Sequence, residues 1–184
     1  MTYKLIRSSR KTVSLQVGAD GLTVRAPYRV PKKEIDSLVE KRRGWIEKHL
    51  KKAEADRKAA ADAGLLTADD LKELGRLALS VIPGRVARYA PIVGVTPGRI
   101  TIRNQRTKWG SCSSGGNLNI NCLLMLAPDV VIDGIVVHEL CHLKEMNHSE
   151  RFYAEVLRAF PEYPECEKWL KENGAALFAR VKYQ

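Results

Sequence analysis

Three of the chain's four histidines fall within eleven residues, His138-Glu139-Leu140-Cys141-His142-Leu143-Lys144-Glu145-Met146-Asn147-His148. On an α-helix, residues four apart lie one above the other, so His138 and His142 project from one face and can close on a single ion. Glu139 sits one position further round, better placed to hold an attacking water than to bind the metal. Two imidazoles leave a catalytic zinc site short, because such sites use three protein ligands and keep a fourth position open. His148 is the candidate for the missing ligand, with Glu150 and Glu155 downstream as alternatives.

Six residues of unbroken helix advance roughly 600°, which would leave His148 off the line of the other two rings. The spacing therefore predicts that the helix ends between His142 and His148. Asn147 tolerates the left-handed conformation of a helix C-terminus, and Ser149 suits the N-cap of a following helix. The competing structural reading is a buried helix whose histidines are satisfied core groups.

Charge is uneven along the chain. Residues 1–63 carry sixteen Lys/Arg against eight Asp/Glu, net +8, whereas residues 64–184 carry fifteen against thirteen, net +2. A basic region of this kind attracts phosphates, nucleic acid or acidic proteins, or is simply a solvated helix surface. The opening residues lack an apolar core of the secretory type. The most apolar stretch, residues 118–137, is broken by Asn119, Asn121, Pro128, Asp129 and Asp133, too polar to span a bilayer. A soluble, cytoplasmic protein without membrane contact is expected. Cysteines 112, 122, 141 and 166 form no C-x-x-C pair, so a disulfide framework is not expected. Cys141 reads as a core residue. Cys112, beside the presumed site, is a weaker candidate for a thiolate ligand.

Residues 3–7, 11–17 and 21–26 alternate apolar and polar side chains, with Asp20-Gly21 as a turn, and predict a small antiparallel sheet. From Lys32, apolar residues at helical spacing predict one basic helix to about residue 62, docked by a stripe containing Trp45. His49 lies among lysines and reads as structural or solvated. Thr67 and Asp70 form a capping-box pattern before a second helix, which Pro83-Gly84 kinks or restarts. Residues 99–104 and 117–126 read as strands, the latter joined to Trp109-Gly110-Ser111-Cys112 by a Ser-Gly-Gly turn as a hairpin. The alternating asparagines of 117–121 mark a candidate edge for holding substrate in extended form. Pro128 and Asp129 suit the first turn of the metal helix. Two helices follow, one carrying Phe152 and Tyr153 and the other running from about Glu165 to Asn173.

The run Trp109-Gly110-Ser111-Cys112-Ser113, the Gly-Gly-Asn turn, Ala127-Pro128, V-V-H-E-L-C-H-L and N-H-S-x-x-F-Y together resemble the YgjP-like metallopeptidases, a family similar to the SprT-like and WLM zinc proteases. The resemblance covers nearly the whole chain. It implies a zinc-dependent hydrolase of α+β, zincin-like fold, with a small antiparallel sheet packed on the H-E-x-x-H helix. An N-terminal β region and basic helix would precede it, so that the chain either divides into residues 1–63 and 64–184 or forms one integrated unit. It further implies Zn2+ on His138, His142 and His148, with Glu139 as the catalytic carboxylate. Gly134 stands where the family often has an aromatic residue, which suggests a more open pocket floor. Lys144 and Glu145 replace the glycine of metzincins, so that assignment is not supported.

Peptide-bond hydrolysis is the leading expectation, with Glu139 as general base. Arg106, Lys108, Tyr153 and Tyr163 are candidate oxyanion donors, and Trp109 and Asn117 candidate substrate contacts. The rival expectations are hydrolysis of nucleoside triphosphates, a nucleic-acid-associated protease using residues 1–63, and a non-catalytic zinc-stabilised interaction protein. A purely structural site would not need Glu139.

Overall fold

Residues 1–18 and 21–182 are described by the structure, a computed structural model. They form two compact units, Met1–Gly64 and Leu65–Gln184, each with its own buried apolar cluster.

In the first unit, β1 (Lys4–Ser8), β2 (Ser14–Gly18) and β3 (Gly21–Pro27) form a sheet in the order β1-β3-β2. The strands lie where the alternation placed them, but the sheet is mixed. β2 runs antiparallel to β3, whereas β1 runs parallel to it, pairing Lys4 with Thr23 through Ser8 with Pro27. Burial explains the order: Leu22, Val24 and Ala26 of β3 are at most 3 % exposed, so the most apolar strand takes the central place. Asp20 of the expected turn lies outside the described residues, and Gly21 opens β3 at a φ of 94°.

The single basic helix is in fact two, α1 (Lys32–Lys41) and α2 (Arg43–Asp62), with Arg42 non-helical at φ −105°, ψ 11°. The break lets Ile35 and Val39 of α1 and Ile46 of α2 enter one cluster with β3. Ile46, not Trp45, is the docking residue. Trp45 is 41 % exposed and stacks on His49, whose Nδ1 lies 2.8 Å from the Trp45 carbonyl.

In the second unit, Thr67 accepts from the Asp70 amide and Asp70 accepts from the Thr67 amide, the full capping box, opening α3 (Ala68–Val93). The helix runs continuously past Pro83, which faces solvent, where water can serve the carbonyl that the ring leaves unpaired. Gly94, left-handed at φ 80°, ends it. β4 (Ile100–Arg103), β5 (Gly110–Cys112) and β6 (Leu118–Asn121) form a second mixed sheet ordered β4-β6-β5, with β4 parallel and β5 antiparallel to β6.

Residues 117–121 are therefore not an edge: β6 is the central strand, and its asparagines are structural. Asn117 Oδ1 accepts from the Arg99 amide. Buried Asn121 donates to the Gln105 and Lys108 carbonyls and accepts from the Leu123 amide. That last bond turns the chain out of the strand into a 3-10 turn, Cys122–Leu126, short of the expected strand end.

Helix α4 (Asp129–Cys141) is buried nearly all round, followed by α5 (Glu150–Ala159) and α6 (Tyr163–Ala179), the last longer than the sequence suggested. Arg85 and Tyr89 of α3 bond Asp133, and Arg85 also pairs with Asp129, holding the start of α4. Gly134 does not open a pocket floor. A Cβ there would meet Cys166 Sγ at 2.6 Å and Cys166 Cβ at 2.7 Å, so its missing side chain lets α4 and α6 approach. The architecture is α+β, and no helix among the described residues is long and apolar enough to cross a membrane.

Gly134→Ala should lower unfolding free energy by about 1–3 kcal/mol, the usual cost of overpacking a tight core, as read by denaturant titration. An unchanged midpoint would contradict the close α4–α6 contact.

Candidate metal centre

His138 and Glu139 lie in the last turn of α4, and His142 is its C-cap at φ −63°, ψ −18°. The Leu143 and Lys144 amides bond back to Leu140 and Cys141, so the chain leaves through tight turns. No non-glycine residue among those described has a positive φ, so the reversal does not use a left-handed Asn147. Ser149 caps α5 by accepting from the Phe152 amide, as its position suggested.

The result is a near-equilateral triangle of imidazoles. Ring centroids are 4.9 Å apart for His138–His142, 5.0 Å for His138–His148 and 4.8 Å for His142–His148. One nitrogen from each lies within 4.8 Å of the others, and the Nε2 atoms of His138 and His148 face each other at 3.0 Å. Phe152, fully buried, touches all three rings at centroid distances of 4.5 to 4.9 Å.

The outward nitrogens of His138 and His142 are anchored. His142 Nδ1 donates to the Glu145 carbonyl at 3.1 Å, which leaves its Nε2 as the lone-pair nitrogen. His138 Nδ1 lies 2.7 Å from the Tyr163 hydroxyl. Burial, then the neighbouring His142 and His148, holds His138 down to about 3, and burial also lowers His142. Two rings with fixed outer nitrogens, their inward nitrogens converging with that of His148, suit a divalent ion of the zinc type. Neither alternative third ligand joins the histidine cluster: Glu155 pairs with Lys144 and Arg158, and Glu150 is not among the converging groups.

Glu139 is 4 % exposed, and its Oε2 is buried without a hydrogen-bond partner. A Cβ on Gly110 would meet Glu139 Oε1 at 2.6 Å and Cγ at 2.7 Å, so β5 presents a glycine where the carboxylate needs room. Burial pushes the Glu139 carboxyl up to about 7, against the opposing charge of Lys108. Carboxylate and histidines open into one cleft of about 440 Å3, walled by residues 108–112 on one side and α4 on the other.

The model of the YgjP-like metallopeptidase domain matches residues 11–77 and 69–173. The chain belongs to the YgjP-like metallopeptidase family. It is thus a metal-dependent hydrolase, and the family expectation drawn from the W-G-S-C and H-E-L-C-H runs holds. No curated protein matches it. Among solved structures, the metallopeptidase zymogen of Pyrococcus abyssi abylysin is 22 % identical, with a TM-score of 0.45 over 50 % of this chain and 94 % of that one. The metallopeptidase zymogen of Methanocaldococcus jannaschii jannalysin is 23 % identical, with a TM-score of 0.44 over the same shares.

Of the other residues singled out in this YgjP-like chain, Lys108 and Trp109 line the cleft. The Trp109 ring is braced by Phe178, 4.4 Å between centroids, and lies against Gly174. Tyr163 also lines it, but its hydroxyl is engaged by His138. Arg106, Asn117 and Tyr153 are not among the lining residues, although the Tyr153 ring comes within 6.2 Å of His148. Cys112 lines the cleft outside the histidine cluster, its thiol pushed up by burial and by Glu139. Sequence reasoning missed the anchor on His138, the Phe152 floor and the Gly110 cradle. Gly110 and Phe152 stand in the motifs and Tyr163 among the donor candidates, but only packing assigns their parts.

Tyr163→Phe removes the hydroxyl beside His138 Nδ1 and little volume. Metal affinity of this YgjP-like protein, read by chelator competition, should fall about 10- to 100-fold. Unchanged affinity would mean that the contact does not support the ligand.

Proposed function

We propose that the chain is a zinc-dependent peptidase in which His138, His142 and His148 hold the ion and Glu139 is the general base. The carrying observation is the three converging imidazoles beside a buried carboxylate oxygen that has no partner within the protein. Zinc bound there supplies a Lewis acid that acidifies water and polarises the scissile carbonyl. Glu139 takes the proton of the attacking water on Oε2 and returns it to the leaving nitrogen as the C–N bond breaks.

Two lining residues can donate to the developing oxyanion: Lys108, the only Lys or Arg among them, and Tyr163, whose O–H stays free when its oxygen accepts from His138 Nδ1–H. One cation suits a carbonyl oxygen better than the several charges of a triphosphate. The substrate backbone is held by β5 rather than by 117–121. Trp109 O and Ser113 N bond toward β6, so the alternation of an antiparallel pair directs the N–H and C=O groups of Gly110 and Cys112 toward the open edge. An extended peptide adds there as a further strand.

Glu139→Gln should retain one zinc per chain by elemental analysis and lose roughly 10²–10⁴-fold in peptide turnover. Full activity in that variant would exclude this mechanism. Gly110→Ala should likewise keep zinc but lower kcat, because the added methyl displaces the Glu139 carboxylate. Wild-type kcat would refute the cradle.

A further inference from the structure

The first 33 residues hold eight Lys/Arg and one acid, and the fold gathers part of this charge into a cavity. Parallel pairing brings the C-terminal ends of β1 and β3 together, Ser8 opposite Pro27. The segments that follow, Ser9-Arg10-Lys11 and Tyr28-Arg29, therefore wall a common space of about 360 Å3 within the first unit.

Its lining presents three cations, the hydroxyls of Ser8, Ser9 and Tyr28, and no carboxylate. None of Arg10, Lys11 and Arg29 pairs with an acid among the described residues. Arg10 Nε is buried and has no hydrogen-bond partner, a donor that a buried site ordinarily satisfies. Arg7 contrasts with these three. Its Nη1 bonds the Pro27, Tyr28 and Val30 carbonyls at 2.8 to 3.0 Å and so fixes the wall that carries Tyr28 and Arg29. Arg7 shapes the cavity, and the other three cations face it uncompensated.

We propose that this cavity is a binding site for single-stranded nucleic acid: Arg10, Lys11, Arg29 and the serine hydroxyls hold backbone phosphate, and Tyr28 stacks on a base. Tyr28 is 70 % exposed, which packing does not explain and which an unpaired base would cover. Binding at a bilayer surface would need an apolar face to insert, and Tyr28 is the one large apolar side chain exposed among the lining residues. A polymer fits better than a free phosphate because the basic charge extends beyond the cavity: residues 1–33 carry a net +7, and five of their eight cations, Lys4, Arg7, Arg25, Lys32 and Lys33, lie outside its lining. The inference rests on the first unit alone and is independent of the peptidase reading.

The test uses the full chain and fluorescence anisotropy with labelled single-stranded oligo-dT and oligo-rU across a salt series. Blunt duplex and phosphatidylserine vesicles are run in parallel. Binding to either single strand, tighter than to duplex, is expected, with log affinity falling linearly in log salt. The Arg10→Ala/Lys11→Ala/Arg29→Ala variant should reduce that slope by about 2, from three contacts at about 0.7 each. Lys41→Ala/Lys48→Ala/Lys51→Ala, a charge-matched change at exposed helix positions, should reduce it less. Tyr28→Ala should weaken binding about tenfold, and Tyr28→Phe should not. Thermal melts of all variants are compared, and wild-type melting shows that any lost binding is local. No oligonucleotide binding, equal losses in both triple variants, no effect of Tyr28→Ala, or vesicle binding in place of oligonucleotide binding would each overturn the site.

Discussion

Everything chemical in this molecule depends on holding three imidazoles close together and correctly turned. In water, rings this near would each take up a proton at mildly acidic pH and repel. Here burial lowers the pKa values of His138 and His142, and Phe152 fills the space beneath all three rings. Hydrogen bonds to the Tyr163 hydroxyl and the Glu145 carbonyl then fix two of them, so the inward nitrogens face one point. A divalent cation taking a lone pair from each ring would offset the cost of converging three polar groups.

The surrounding fold serves that arrangement. α4 is apolar nearly all round, which immobilises His138 and His142, and its start is tied to α3 through Asp133. Two glycines set distances that side chains would spoil. Gly134 lets α6 pack close to α4, and α6 begins with the Tyr163 that anchors His138, while Gly110 lets β5 approach Glu139. The proposed chemistry therefore needs both close packing and a carboxylate left unpaired at its centre.

Much of this could be read from the chain, and the failures have physical causes. H-E-x-x-H spacing, the Ser149 cap and the Thr67–Asp70 box are local rules, and local geometry obeyed them. The strands were found because alternation is local too. Their order was not, because β3 and β6 became central through burial that no single segment displays. Reading the asparagines of 117–121 as a solvent edge failed because Asn117 and Asn121 satisfy backbone groups inside the fold. The break at Arg42 has no glycine or proline at that position and appears only when Ile35, Val39 and Ile46 must share one cluster. Tyr163 was seen as a potential donor, but its partner lies 25 residues earlier in the chain, beyond any spacing rule.

The most direct measurement is X-ray absorption at the zinc K-edge of the zinc-loaded protein. The account predicts outer-shell scattering from three imidazoles, nitrogen ligands at about 2.0–2.1 Å and a further light-atom ligand. Two imidazoles, or a sulfur shell at about 2.3 Å marking Cys112 as a ligand, would contradict it.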